Sequence, residues 1–173
     1  ALVQRIRALL PAPEPVSVQA VAGTGFGLSP ATSRLAADLQ RLAPRDVPVL
    51  LRGETGVGKE VAARLLHQQS PRAQQPFVAV NCGAVPHALM ESQFFGHERG
   101  AFTGAVAAHA GYFEEAQGGT LFLDEIGELD PRLQAALLRV LENGSFRRLG
   151  GRQDLRFGGR IVAATHADLA ARM

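Results

Sequence analysis

The chain has 173 residues, 46% of them hydrophobic and 20% charged, enough apolar material for one sizeable core. A formal net charge of +2 is too small to argue for nucleic acid by itself, and no apolar run approaches the ~18–20 residues that cross a bilayer. The single cysteine, Cys82, excludes an internal disulfide and a thiolate metal cluster, and the start lacks a secretion-signal pattern, so a soluble cytoplasmic protein is expected.

In chain order, Leu2, Val3, Ile6, Leu9 and Leu10 fall at helical spacing before Pro11, Pro13 and Pro15 stop any helix. Residues 1–23 therefore read as the end of an upstream helix and a stiff linker, or simply a frayed terminus. From about Gly27 strands and helices alternate. Strands are expected over Val47–Leu51, Phe77–Val80, Thr120–Leu123 and Ile161–Ala164. Helices are expected over Lys59–Gln69, Pro86–Phe95 and Pro131–Glu142, the last with Asp130 as its N-cap. Phe146–Leu149 and Leu155–Phe157 flank Gly150 and Gly151 and suggest a hairpin. Continuous apolar strands separated by helices predict an α/β fold, a mostly parallel sheet covered on both faces.

Two motifs carry chemistry. Gly53-Glu54-Thr55-Gly56-Val57-Gly58-Lys59 follows a strand and opens a helix, the context that a phosphate-binding loop requires. Its glycines let backbone amides turn inward around an anion, the helix N-terminus adds a positive dipole end, and Lys59 brings a charge to the outer phosphates. The next residue is Glu60, not Ser or Thr, so the hydroxyl that usually ligates magnesium is missing and the metal must lean on other groups. Downstream, Gly118-Gly119-Thr120-Leu121-Phe122-Leu123-Asp124-Glu125 puts two carboxylates at the carboxyl end of an apolar strand, where open parallel sheets bind ligands. Asp124 is placed to hold Mg²⁺, and Glu125 to orient or deprotonate a water for attack on a γ-phosphate. Together the motifs predict ATP and Mg²⁺ without saying what hydrolysis is for.

A third segment, Phe95-Gly96-His97-Glu98-Arg99-Gly100-Ala101-Phe102-Thr103-Gly104-Ala105, is a glycine-flanked loop without periodicity. Nothing in it is expected to fix its backbone. Phe102 at a mobile tip suits contact with a partner, the alternative being a ring tucked into local core.

Gly100 to Ala105 reads GAFTGA and resembles the sigma-54-contacting loop of the bacterial sigma-54-dependent activators, the enhancer-binding AAA+ ATPases. The surroundings are similar in order and spacing over residues 24–173. Glutamate after the phosphate-loop lysine is usual there, and Asn81-Cys82 resembles the strand end that carries the family's switch asparagine. Gly118 to Leu129 resembles its acidic-pair segment, Arg147 to Gly151 its second insertion loop, and Arg160 to Leu169 the strand ending in its first sensor. The resemblance implies an AAA+ α/β subdomain with two insertions. It also implies a hexameric or heptameric ring that hydrolyses ATP between subunits and remodels the closed complex of RNA polymerase and sigma-54. Lys59 would then bind phosphate, with Gly53, Glu54, Thr55, Gly56, Val57, Gly58 and Glu60 lining the nucleotide. Asp124 would hold the metal and Glu125 the water. Asn81 would hold Glu125 and couple the γ-phosphate to the loop, and Thr165 would sense that phosphate. Gly100, Ala101, Phe102, Thr103, Gly104 and Ala105 would meet sigma-54. His166 and Gln93 depart from the common family residues. The family's arginine fingers, helical lid and DNA-binding domain would lie beyond Met173, and a regulatory domain, of the two-component type among others, before Ala1. The 173-residue chain is thus read as a fragment, expected to bind nucleotide weakly and hydrolyse it negligibly, because an arginine finger contributes ~10³–10⁵ in rate.

Two other readings use the same motifs: a P-loop ATPase acting on nucleic acid, and a non-catalytic scaffold shaped by nucleotide. The five histidines lack metal-ligand spacing, and Cys82 reads as a small buried apolar residue. Arg147, Arg148, Arg152, Arg156 and Arg160 read as a solvated hairpin or a subunit contact rather than a DNA site.

Overall fold

The computed structural model describes residues 30–166. The expected upstream helix and proline linker, the start of the family resemblance at residue 24, and residues 167–173 lie outside the described residues. The elements in chain order are α1 (Pro30–Leu42), β1 (Val49–Arg52), α2 (Lys59–Gln68), β2 (Phe77–Asn81), α3 (His87–Phe95), α4 (Tyr112–Glu115), β3 (Thr120–Asp124), α5 (Pro131–Asn143), β4 (Ser145–Phe146), β5 (Leu155–Arg156) and β6 (Arg160–Thr165). Short 3₁₀ turns follow β2 (Cys82–Ala84) and β3 (Ile126–Glu128). Among the described residues no helix is long and apolar enough to cross a membrane.

Four strands form one parallel sheet in the order β1–β6–β3–β2. Period-two alternation divides its side chains between two cores. Leu121, Leu123, Ile161 and Ala163 face one side, where Met90 and Phe94 of α3, Phe113 of α4 and Leu133, Leu137 and Val140 of α5 close over them. Phe122, Val162 and Ala164 face the other, under Leu39 of α1 and Ala62, Leu65 and Leu66 of α2. The expected three-layer α/β architecture is the one observed.

Boundaries moved for identifiable reasons. β1 begins at Val49, two residues later than expected, because Pro48 has no N–H to give the ladder. Helix α1 was not anticipated; its Ala36, Ala37 and Leu39 are buried. Asp130 does cap α5, its carboxylate accepting from the Arg132 amide at 2.8 Å, with Pro131 in the first turn. The expected hairpin is real but shrinks to two pairs, Ser145 with Arg156 and Phe146 with Leu155. Leu149 leaves it: its N–H donates to Gly96 O and its carbonyl accepts from Glu98 N–H, both at 3.0 Å.

Two arginines stitch the amino ends of the strands. Arg160, the first residue of β6, is 3% exposed and donates to the carbonyls of Leu42, Ala43 and Val47, closing the end of α1 and the run into β1. Its sequence neighbours suggest a basic stretch on a solvated hairpin or at a subunit contact. The buried guanidinium instead satisfies carbonyls left free at a helix terminus, and burial pulls its pKa below the ordinary arginine value. Arg72 donates to the carbonyls of Gly118 and Gly158, just before β3 and β6, and pairs with Asp46 at 2.6 Å. On the same side, the Nδ1 of buried His67 meets the Thr120 hydroxyl at 2.9 Å, joining α2 to β3.

Arg160→Leu leaves three carbonyls without these donors and should cost roughly 2–4 kcal/mol, whereas Arg156→Leu, exposed on β5, should stay within about 0.5 kcal/mol. Urea unfolding of both variants beside the wild type checks the difference.

Candidate functional site

The register of the sheet assembles the site at its carboxyl edge. Arg52 lies opposite Thr165 and Asn81 opposite Asp124, so the root of the phosphate loop, Thr165, the acidic pair and Asn81 share one rim. The β6 strand stands between β1 and β3 and sets the spacing of loop and carboxylates.

The loop is bound to that rim by its first residue: Gly53 N–H donates to Thr165 O at 3.2 Å. Gly56 and Gly58 take φ of 83° and 89°, the left-handed region that turns the amides inward, and Gly58 leads into α2. Lys59 folds back across the loop, its ammonium donating to the carbonyls of Gly53 (3.0 Å) and Glu54 (2.9 Å). Glu60 turns along the helix instead of toward the loop. Its Oε1 accepts from both Nε (3.0 Å) and Nη2 (2.7 Å) of Arg64, and the Arg64 guanidinium sits 4.7 Å from the centre of the Phe77 ring. At the end of β3, Asp124 Oδ1 accepts the Glu125 amide at 2.9 Å.

Glu125 has the only left-handed backbone among the described non-glycine residues, with φ of 53° and ψ of 45°. That conformation costs about 1–2 kcal/mol for a residue with a side chain. It swings the Glu125 carboxylate toward Gly83, where a Cβ would come within 2.7 Å of Oε2. The expected Asn81–Glu125 hydrogen bond is not formed among the described residues. Asn81 Oδ1 instead accepts from the amides of Gly83 (2.8 Å) and Ala84 (3.2 Å), capping the 3₁₀ turn that forms the wall beside Glu125. Cys82 within that turn is fully buried, and its thiol is pushed up to about 12 by burial, then by Asp124 and Glu125, which keeps it a neutral packing residue.

The GAFTGA segment differs from the expected loose loop. Gly100 N–H donates to Ala105 O at 2.8 Å, Ala105 N–H to Phe102 O at 3.0 Å and Ala101 N–H to Glu98 O at 3.1 Å, so its backbone is closed on itself. Ala105 is buried while Phe102 is 42% exposed, one edge against the His97 ring at 5.0 Å between centroids. His97 is fixed from below by the Ser92 hydroxyl at 2.8 Å. At the root, His97 and His109 exchange both backbone hydrogen bonds. This crossing demands glycine, since a Cβ on Gly96 would collide with the His109 carbonyl and one on Gly111 with the Gly96 nitrogen.

Sequence reasoning did not find what joins this loop to the hairpin. Besides the Leu149 bonds, Arg148 donates to Glu114 through Nε (2.8 Å) and Nη2 (2.6 Å) and to Glu98 at 3.2 Å, while Arg147 pairs with Asp154. With Arg160 buried, three of the five arginines of the supposed basic stretch are paired or internal. The partners of Arg148 lie 34 and 50 residues away, beyond any local pattern.

A family model described as the Sigma-54 interaction domain matches residues 26–173. The chain is 54% identical over 155 residues to a Nif-specific regulatory protein of Rhodobacter capsulatus, covering 90% of this chain and 26% of that protein. It therefore spans about a quarter of that relative's length. NtrX from Brucella abortus, solved in complex with ADP, superposes with a TM-score of 0.77 at 36% identity, over 84% of this chain and 31% of that one. The P-loop NTPase domain of the sigma-54 transport activator from E. coli superposes with a TM-score of 0.55 at 25% identity, over 84% of this chain and 82% of that one.

Arg148 holds the Glu114 carboxyl below its ordinary pKa, by hydrogen bonding first, so the pair adds stability above the unfolded carboxylate pKa that is lost as pH falls through the lowered folded value. Glu114→Gln should lower stability at pH 7 and flatten its decline below about pH 4.5, read by urea unfolding across pH.

Proposed function

Since the chain belongs to the Sigma-54 interaction domain family, we propose that it is the ATP-hydrolysing core of a sigma-54-dependent transcription activator, working as a subunit of a hexameric or heptameric ring. The observation that carries this reading is the convergence of a phosphate loop and an acidic pair on one sheet edge, with the GAFTGA loop connected to the same edge through Asn81, the 3₁₀ turn and α3.

The triphosphate of ATP lies in the nest of Gly53 to Gly58, against Lys59, which exchanges its two internal carbonyls for phosphate oxygens. Asp124 holds Mg²⁺, and its rim position and remaining carboxylate oxygen fit that ion. A bound Mg²⁺ neutralises charge on the phosphates. Glu60 follows the loop at the start of α2, and its carboxylate, occupied by Arg64 along the helix, stays out of the metal site. Glu125 takes a proton from the attacking water. The water oxygen bonds to the γ-phosphorus, the bond to the β–γ bridging oxygen breaks, and ADP leaves with that electron pair. Thr165, at the end of β6, senses the γ-phosphate beside Gly53.

Asn81 couples this chemistry to the loop. In the state described here it holds the 3₁₀ turn while Glu125 rests against Gly83; with a γ-phosphate present, Asn81 turns to donate its Nδ2 to the Glu125 carboxylate, releases a turn amide, and α3 moves with it. The residues Gly100, Ala101, Phe102, Thr103, Gly104 and Ala105 then engage sigma-54 in the RNA polymerase complex. DNA binding belongs to another domain of the whole protein, and residues 24–173 form the α/β part of the domain.

In the full-length protein, Lys59→Ala should abolish nucleotide binding, measured by calorimetry, whereas Glu125→Gln should retain it and lose hydrolysis by at least ~100-fold. In the full-length protein, the wild type should capture sigma-54 with ADP and a γ-phosphate transition-state mimic but not with ADP alone. Phe102→Ala should bind nucleotide and fail to capture. Nucleic-acid-stimulated hydrolysis without sigma-54 capture would turn the assignment toward DNA processing.

A further inference from the structure

The GAFTGA loop does not end as a surface at Ala105. From Gly100 to Phe113 there is no Asp, Glu, Lys or Arg, although a chain with 20% charged residues would place about three in such a stretch. Val106, at 84% exposure, is the most exposed large hydrophobic residue among those described. Ala107, Ala108, His109 and Ala110 after it are exposed as well. An exposed, mostly apolar strip without Asp, Glu, Lys or Arg therefore follows buried Ala105 along the returning arm of the loop.

The arm is also held in place. Buried Ala105 anchors one end and the paired His97–His109 backbone bonds anchor the other, while Val106 N–H donates to Gly104 O at 2.9 Å. Ordering this backbone is already done within the domain, so docking it loses little conformational entropy. Apart from the His109 ring it carries no titratable side chain to desolvate, and three alanines permit close approach of another surface. Isolated exposed apolar residues need no explanation, but a continuous anchored strip adjoining the loop that names the family does.

We propose that Val106 to Ala110 forms a second, apolar half of the sigma-54 contact, seated on an uncharged strip of sigma-54 next to the site that receives Phe102. This rests on the activator reading above. The occupant is sigma-54 and not a neighbouring subunit, because the strip follows directly on the hexapeptide within the same loop.

The test uses the full-length protein with ADP and the transition-state mimic. Val106→Glu and Ala108→Glu should each weaken sigma-54 capture by at least about tenfold, with nucleotide affinity, melting temperature and ring size unchanged. Val106→Leu should capture normally, as should Gln153→Glu on the exposed hairpin. Normal capture by both glutamate variants, beside failure of Phe102→Ala, would overturn the second contact and leave the activator reading intact. Capture by Phe102→Ala itself would overturn that reading. Loss of the ring in the glutamate variants would place the strip against a neighbouring subunit and overturn the proposal.

Discussion

The order β1–β6–β3–β2 is the constraint on which the rest depends. Parallel strands need their connections to run outside the sheet, so every carboxyl end opens onto the same rim. Placing β6 between β1 and β3 puts residues from the start, middle and end of the described chain within one rim. Gly53, Thr165, Asp124 and Asn81 are neighbours because of backbone pairing before any side chain acts. Arg160 and Arg72 guard the opposite edge, where strand starts would otherwise leave carbonyls with no donor. The fold thus separates its tasks: one edge is closed by internal donors, and the other keeps glycines and carboxylates facing outward.

Local conformation at the open edge departs from what is cheapest for the chain. Glu125 adopts a backbone that suits glycine, Lys59 bonds carbonyls of its own loop, and Asn81 caps a short turn. Each of these arrangements holds a polar group near the rim in an interaction that a phosphate or a neighbouring side chain can replace. The edge is preorganised in its backbone and exchangeable in its side chains. That combination suits the proposed nucleotide site.

Much of this was legible in the sequence, and the reasons differ by element. Four sheet strands were readable because apolar runs such as Thr120–Leu123 and Ile161–Ala164 are buried on both faces, and the phosphate loop because glycine spacing is a direct consequence of its dihedrals. Helix α1 was missed, although Pro30 and the spacing of Leu35, Leu39 and Leu42 were available as signals. The hairpin was overextended because its pattern continues to Leu149, whereas Leu149 pairs with a loop some fifty positions earlier. The Arg148 clasp, the buried Arg160 and the closed GAFTGA backbone are long-range or context-dependent and leave no periodic trace. The direction in which Asn81 points is likewise a matter of turn geometry, which residue identity alone does not determine.

The union of the two insertions has a consequence for anyone who would transplant them. Gly150 packs so closely on Ala101 that a Cβ there would sit 2.9 Å from the alanine's own, and Leu149 is hydrogen-bonded on both sides to the root of the loop. Residues 96–111 and 147–151 consequently behave as a single cassette whose halves are distant in the gene. Exchanging one half between related proteins brings in a surface fitted to an absent neighbour, so chimeras of this region should be built from both halves together.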